Sequence, residues 1–201
     1  MNTESKFGET PFFEACESKN ENLNLTKYLI KYGVDINKEN KWSKTPLFYA
    51  CSNRNEIIVK HLVKQGADII RVNRNKETPL FDACFSGNEN LVKYLVECGA
   101  NINKENVGET PLINACSNRN EKLVKYLINH GADINKESTK IETPLFNTCC
   151  GGNKVIVKYL IEHETDINKE KEYGNTPLFS TIKGRNEFLI KILIKLGSDI
   201  Y

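Results

Sequence analysis

The chain has 201 residues, of which 28 are Lys or Arg and 26 are Asp or Glu, so its formal net charge is only +2. Proteins that bind nucleic acid through phosphate contacts usually carry a basic patch or stripe, so this balance argues against a nucleic-acid partner. No apolar stretch approaches the ~20 residues that a membrane helix needs, which excludes membrane insertion through such a helix.

The N-terminal segment, residues 1–10, is polar and lacks the apolar core of a secretory signal. We therefore expect an intracellular, cytoplasmic protein.

All six prolines occur in Thr-Pro dipeptides that recur every 32 to 35 residues along the chain. A fixed period near 33 is typical of a repeat protein, in which each unit packs on its neighbours. We predict one continuous array over residues 1–201 rather than two separate cores. Its repeats lie at approximately 6–40, 41–73, 74–105, 106–138, 139–171 and 172–201.

The third repeat shows the elements that each unit predicts in chain order. Thr78 and Pro79 start a first helix, since Thr is a good N-cap and Pro fits the first helical position. Gly87 ends that helix, Asn88 caps a second one with an apolar stripe, and Gly99 ends it. Neither helix is long enough to be stable alone, so stability must come from stacking. The fold class is therefore an all-α repeat solenoid.

These motifs resemble those of ankyrin repeats. The units read Glu-Thr-Pro-Leu-Phe-x-Ala-Cys, then Asn-Glu-x-Leu-Val-Lys-Tyr-Leu, then Gly-Ala-Asp-Ile-Asn, over about residues 6–200. The family pattern is Thr-Pro-Leu-His-x-Ala, a Val- and Leu-rich second helix, and Gly-Ala-Asp-Val-Asn. The resemblance implies helix-turn-helix pairs with short β-hairpin or loop fingers, which bind partners with the finger tips and the first helices.

One departure from the family concerns the His that follows Thr-Pro-Leu. In the family this His hydrogen-bonds around the Thr-Pro turn, but here the position holds an apolar residue in every repeat: Phe13, Phe48, Phe81, Ile113, Phe146 and Phe179. We expect burial to replace hydrogen bonding at these positions, because full burial of a Phe contributes ~1.5–3 kcal/mol.

Three other irregularities are visible in register. The first repeat has two extra residues near 22–25, most simply between its helices. Glu164 replaces a helix-ending Gly, so residues 162–166 should be the least regular joint. The second helix of the sixth repeat is unusually apolar. The favoured interpretation is that the array is longer or that its end frays; the alternative is that this helix packs against a partner.

The cysteines do not indicate chemistry. Five share one repeat position, where stacked helices ~8–10 Å apart are too distant for disulfides, so we expect buried, reduced thiols: Cys16, Cys51, Cys84, Cys116 and Cys149. The same spacing argues against a shared zinc ion at Cys98, His130 and His163. Cys150 is either an exposed, modifiable thiol or a partly buried small residue, and the second is favoured. We predict no catalytic residue, metal or cofactor.

The resemblance assigns candidate binding residues. At the finger tips these are Trp42, Lys44, Arg74, Asn75, Glu77, Val107, Glu109, Lys140, Glu142 and Tyr173, and at the first-helix ends Ser52, Phe85 and Cys150. Trp42, Phe85 and Tyr173 are the best candidate anchors, because aromatic residues dominate binding hot spots. The alternative is that a finger aromatic folds back onto the neighbouring finger. This alternative is favoured for Tyr173, and the two interpretations have equal weight for Trp42.

We therefore predict a monomeric, non-enzymatic scaffold that binds a protein partner. The alternative is the targeting region of a larger multidomain protein, such as a ubiquitin-ligase adaptor or an enzyme, with its effector part elsewhere. Only analogy with the family supports that alternative.

Overall fold

A computed structural model describes residues 3–18, 23–106, 108–137 and 143–199. The chain divides into two compact units, Met1–Lys104 and Glu105–Tyr201. The described residues form twelve α-helices and one 3₁₀ turn at Glu172–Gly174, and no strand occurs among them. The predicted all-α fold class is confirmed.

The first unit contains three helix pairs: α1 (Pro11–Glu17) with α2 (Leu23–Lys31), α3 (Pro46–Ser52) with α4 (Glu56–Lys64), and α5 (Pro79–Ser86) with α6 (Glu89–Glu97). Helix α3 packs on both α1 and α5, and α4 packs on both α2 and α6. First helices therefore form one layer of this unit and second helices the other.

The second unit repeats this arrangement: α7 (Pro111–Ser117) with α8 (Glu121–Asn129), α9 (Pro144–Gly151) with α10 (Lys154–Ile161), and α11 (Pro177–Lys183) with α12 (Glu187–Lys195). Here α9 packs on both α7 and α11, and α10 packs on α8.

The Thr-Pro dipeptides begin the first helices as predicted, with extended backbone at Thr and Pro in the first turn. The predicted role of the Thr side chain is wrong in most repeats. Only the hydroxyls of Thr110 and Thr176 accept a hydrogen bond from the helix, each at 3.2 Å. In the first three repeats the backbone carbonyl of the Thr accepts that amide instead, as in Phe48 N–H to Thr45 O at 3.0 Å.

Asparagine caps five of the second helices. Its side-chain oxygen accepts the amide three residues later at 3.1–3.2 Å, which satisfies a donor that the helix leaves unpaired: Asn55, Asn88, Asn120, Asn153 and Asn186. Three of these side chains, Asn55, Asn88 and Asn153, also reach the preceding pair. The amide nitrogen of Asn88, for example, donates to Glu56 Oε1 at 3.1 Å.

The irregularities of the sequence have local causes. Residues 23–25 belong to α2, and the segment between α1 and α2 that the two extra residues were predicted to lengthen falls on residues 19–22, outside the described ranges. Glu164 has φ of +62°, the left-handed conformation in which the other repeats place Gly, and α10 ends one residue earlier relative to it. This joint is nevertheless held, because Asn135 Nδ2 donates to Glu164 O at 3.3 Å.

The apolar residues after Thr-Pro-Leu are buried in the first five repeats, as expected, at Phe13, Phe48, Phe81, Ile113 and Phe146. In each unit a neighbouring first helix packs against the helix that carries such a residue. The Tyr49 ring of α3, for example, packs on Phe13 of α1 with ring centroids 5.4 Å apart. The expectation is wrong at Phe179, which is 55% exposed. Among the described residues, α11 has no further first helix of its unit packed over it.

The five cysteines of the repeat position are buried, as predicted, and all seven cysteines are free thiols. Burial raises the pKa of the Cys116 thiol to about 12, which keeps it protonated and unreactive at neutral pH. Cys98 and Cys150 are exposed, so the favoured interpretation of Cys150 as partly buried is wrong.

Candidate protein-binding cleft

In the first unit the turn before each Thr-Pro forms a compact finger. In the first unit these fingers are residues 5–9, 40–44 and 73–77, and each is closed by a hydrogen bond of 2.8–3.0 Å from its first amide to its last carbonyl. The first side chain strengthens the turn from within. Asn40 Oδ1, for example, accepts the amides of Trp42 and Lys44 at 3.0 and 3.1 Å.

Neighbouring fingers of this unit are joined through their backbones. Lys41 N–H donates to Phe7 O at 2.9 Å, and Arg74 N–H donates to Trp42 O at 3.0 Å. Because a backbone bond holds each finger to the next, the side chains at the tips have a defined relative position.

A cleft of ≈ 300 Å³ opens between the second and third fingers and the end of α3. We call it the finger cleft, and it is lined by Trp42, Lys44, Tyr49, Ser52, Asn73, Arg74 and Asn75. Five residues that the sequence predicted as binding residues therefore meet in one place: Trp42, Lys44, Ser52, Arg74 and Asn75.

Trp42 forms one wall of the finger cleft and is 41% exposed. Its ring also packs on Phe7 of the preceding finger, with centroids 5.3 Å apart. The Lys41 ammonium lies 4.5 Å from the Trp42 centroid and 3.9 Å from that of Phe7. Trp42 thus folds back on a neighbouring finger, as the alternative interpretation expected, and still presents part of its ring to solvent.

Lys44, one of the lining residues of the finger cleft, forms an ion pair with the next repeat. Lys44 Nζ lies 2.9 Å from Asp82 Oδ2, and both side chains are largely buried. Burial raises the pKa of Asp82, while the Lys44 ammonium and the Ser52 hydroxyl oppose that rise. Lys44 therefore neutralises a buried carboxylate of its own chain rather than standing free for a partner.

Tyr49 is also held from two sides. Its hydroxyl donates to Glu9 Oε1 at 2.5 Å and accepts from Asn40 Nδ2 at 2.8 Å. Burial raises the pKa of Tyr49, and the hydrogen bond to Glu9 raises it further. The phenol is accordingly a fixed, protonated part of the cleft.

The remaining predicted binding residues do not line the finger cleft. Glu77 lies in the third finger and accepts a hydrogen bond from Asn73 Nδ2 at 2.6 Å, while Phe85 is exposed on α5. Glu109, Cys150 and Tyr173 are exposed in the second unit, and Tyr173 is 96% exposed. Val107, Lys140 and Glu142 lie outside the described residues.

Tyr49 and Asn73 line the cleft but were not among the residues predicted from the sequence. Tyr49 is four residues after Thr45, where every other repeat has a polar residue, so an aromatic in a polar column was the available signal. Asn73 starts its finger and accepts the amides of Asn75 and Glu77 at 2.9 and 3.0 Å. Its signal was Asn five residues before Thr, shared with the second repeat.

No group of three or more His, Cys, Asp and Glu side chains within the described ranges could hold a metal ion. His130 and His163 instead stack on tyrosines of their own helices. The ring of His130 is 3.9 Å from that of Tyr126, and its Nδ1 lies 2.8 Å from Tyr126 O. In the part of the chain that the structure describes, no helix is long and apolar enough to cross a membrane.

Tandem helix pairs, each begun by Thr-Pro, define this chain as a helical repeat protein. The family model for ankyrin repeats, described as "Ankyrin repeats (3 copies)", matches residues 1–73, 58–138 and 135–201. The chain belongs to the ankyrin-repeat family. A comparison with curated proteins gives no match. Ankyrin repeats are generally protein–protein interaction modules, and the family is typically non-enzymatic.

Proposed function

We propose that this chain is a non-enzymatic scaffold that binds a protein partner on the fingers of its first unit, with a partner side chain in the finger cleft. One observation carries the proposal: Trp42, Arg74 and Asn75, from two adjacent fingers, line the same cleft. Tip residues that were predicted separately from the sequence thus share one surface.

The composition of the finger cleft suits a protein partner. Trp and Arg are the residue types most enriched in binding hot spots, and here they stand side by side on a rigid frame. Because the fingers are already fixed by backbone hydrogen bonds, binding would cost little ordering entropy. A volume of ≈ 300 Å³ is at the small end for a ligand pocket and fits one or two side chains.

The other candidate residues take supporting places in this proposal. Glu77 and Phe85 belong to the same unit and would contact the partner beyond the cleft. In the second unit, Glu109, Cys150 and Tyr173 offer separate exposed contacts. We assign no catalytic residue and no cofactor, and the single array over residues 1–201 stays a prediction.

Affinity capture with matched variants tests the proposal. Wild type, Trp42→Ala and Ile57→Ala are immobilised at equal density and exposed to extract from the native cells. Ile57 is a suitable control because it is an apolar residue of the same unit, 45% exposed on α4 and away from the fingers. We expect a protein that wild type and Ile57→Ala retain and that Trp42→Ala loses by at least about tenfold, as for a hot spot.

The melting temperature of each variant is the control for folding. Loss of the Phe7–Trp42 ring contact should lower stability by about 0.5–1.5 kcal/mol, in addition to the loss of the buried part of the ring. Equal retention by Trp42→Ala and wild type would contradict the proposal.

A further inference from the structure

The carboxylates of the fingers beside the cleft, and that of Asp82 on α5, are occupied within the chain. Glu9 accepts hydrogen bonds from Tyr49 and Asn40, Glu77 accepts one from Asn73, and Asp82 is paired with Lys44. A partner cation would have to displace one of these bonds to reach any of these three acids.

The cations of the same fingers are not matched in this way. Lys6, Lys41, Arg74 and Lys76 are exposed, and none of them has an ion pair with an acid among the residues that the structure describes. Lys6 and Lys41 lie over the Phe7 ring instead, at 4.8 and 3.9 Å. Within the described residues, the charged side chains of the fingers that have neither an ion pair nor a side-chain hydrogen bond are therefore positive, although the whole chain is nearly neutral.

Arg74 is the cation best placed to use this capacity. It lines the finger cleft together with Trp42, and its backbone is fixed by the hydrogen bond to Trp42 O. A guanidinium offers two parallel donors that match a carboxylate, and this bidentate geometry is stronger and more specific than a point charge.

We infer that the partner presents an acidic peptide segment to the finger cleft, with a Glu or Asp carboxylate on Arg74 and an apolar side chain against the exposed face of Trp42. This inference rests on the proposed function and names the chemistry of its partner.

A nucleic acid fits the same cations less well. Glu9 and Glu77 alternate with them along the fingers, and a continuous phosphate backbone would meet these carboxylates as well. A peptide with one or two well-placed acids avoids that repulsion, so charge complementarity favours the peptide.

Selection from a random peptide library tests the inference on the complete chain. Peptides are selected in parallel on wild type and on Arg74→Gln, and the recovered peptides are synthesised for titration. Lys64→Gln is the matched control, because Lys64 is an exposed cation at the end of α4, outside the fingers. We expect Glu and Asp to be enriched over the input library on wild type and not on Arg74→Gln.

Titration of the recovered peptides separates a direct contact from a general charge effect. Arg74→Gln should weaken binding about tenfold or more, as expected for a charge-assisted hydrogen-bond pair, and Lys64→Gln less than about twofold. Replacing the peptide acid by its amide should cost a similar factor on wild type. It should cost nothing further on Arg74→Gln, since the two changes remove one contact.

The failures are distinguishable. Peptides that need Trp42 but show no acidic enrichment and no dependence on Arg74 would overturn the inference and leave the proposed function standing. Recovered peptides that bind Trp42→Ala as well as wild type would overturn both. Tighter binding of an oligothymidylate than of the acidic peptides, or binding only when phosphoserine replaces the acid, would also overturn the inference.

Discussion

Four of the six Thr-Pro threonines bury a hydroxyl that has no hydrogen-bond partner among the described residues: Thr10, Thr45, Thr78 and Thr143. The family resemblance explains this in part, because the His that would hydrogen-bond around this turn is replaced by an apolar residue in every repeat. A buried hydroxyl without a partner costs about 1–3 kcal/mol in desolvation. At the residue scale the chain therefore retains the shape of the motif without its polar network.

Two parallel substitutions test this account. Thr45→Val keeps the shape of the side chain and removes the unpartnered hydroxyl, so we expect the free energy of unfolding to stay level or rise by up to about 1 kcal/mol. Thr110→Val removes a hydroxyl that caps Ile113 N–H and should lower it by about 1 kcal/mol. Urea denaturation of both variants measures the difference, and equal destabilisation would show that both hydroxyls are hydrogen-bonded.

At the scale of elements, one Asn in the turn after the second helix ties successive pairs together in three of the repeats. Asn37 Oδ1 accepts the Asp68 amide at 2.8 Å, and its Nδ2 donates to Gly66 O at 3.1 Å. Asn135 and Asn168 make the same two bonds within the second unit. The second repeat has Ile70 at this position, 64% exposed, so its side chain makes neither bond.

Ile70→Asn should restore the missing link. By the 33-residue period its side chain would meet Gly99 O and the amide of Asn101, and two added hydrogen bonds should raise stability by about 1 kcal/mol after ordering costs. Ile70→Ala is the control, because it removes the exposed side chain without adding a polar group. Denaturation midpoints that are no higher for Ile70→Asn than for Ile70→Ala would contradict the proposed link.

The helices themselves could be predicted from the sequence because their signals are local. Thr-Pro, the capping Asn and the Gly after five of the second helices act within one turn of backbone, and the starts of the first helices and the ends of these second helices follow them. Whether the Thr45 hydroxyl accepts a hydrogen bond from the helix could not be predicted, because the Thr45 carbonyl competes with it for the Phe48 amide. Phe179 was predicted as buried because the repeat pattern assumes a neighbouring repeat on both sides. Its burial depends on whether another first helix packs over α11.

At the scale of the whole molecule, the sequence located the finger residues but not the finger cleft. The cleft depends on contacts between residues far apart in the chain: the backbone bond from Arg74 to Trp42 and the ion pair of Lys44 with Asp82. Such contacts follow only when adjacent repeats are placed side by side. The same contacts between repeats leave part of the Trp42 ring exposed and pair Lys44 with Asp82.

Hydrogen exchange of the complete chain, with and without a bound partner peptide, tests the central claim most directly. If the finger cleft is the binding site, amides of residues 40–44 and 73–77 should exchange more slowly in the complex, while those of α4 and α6 should be unchanged. Protection confined to the second helices, with the fingers of the first unit unaffected, would contradict it.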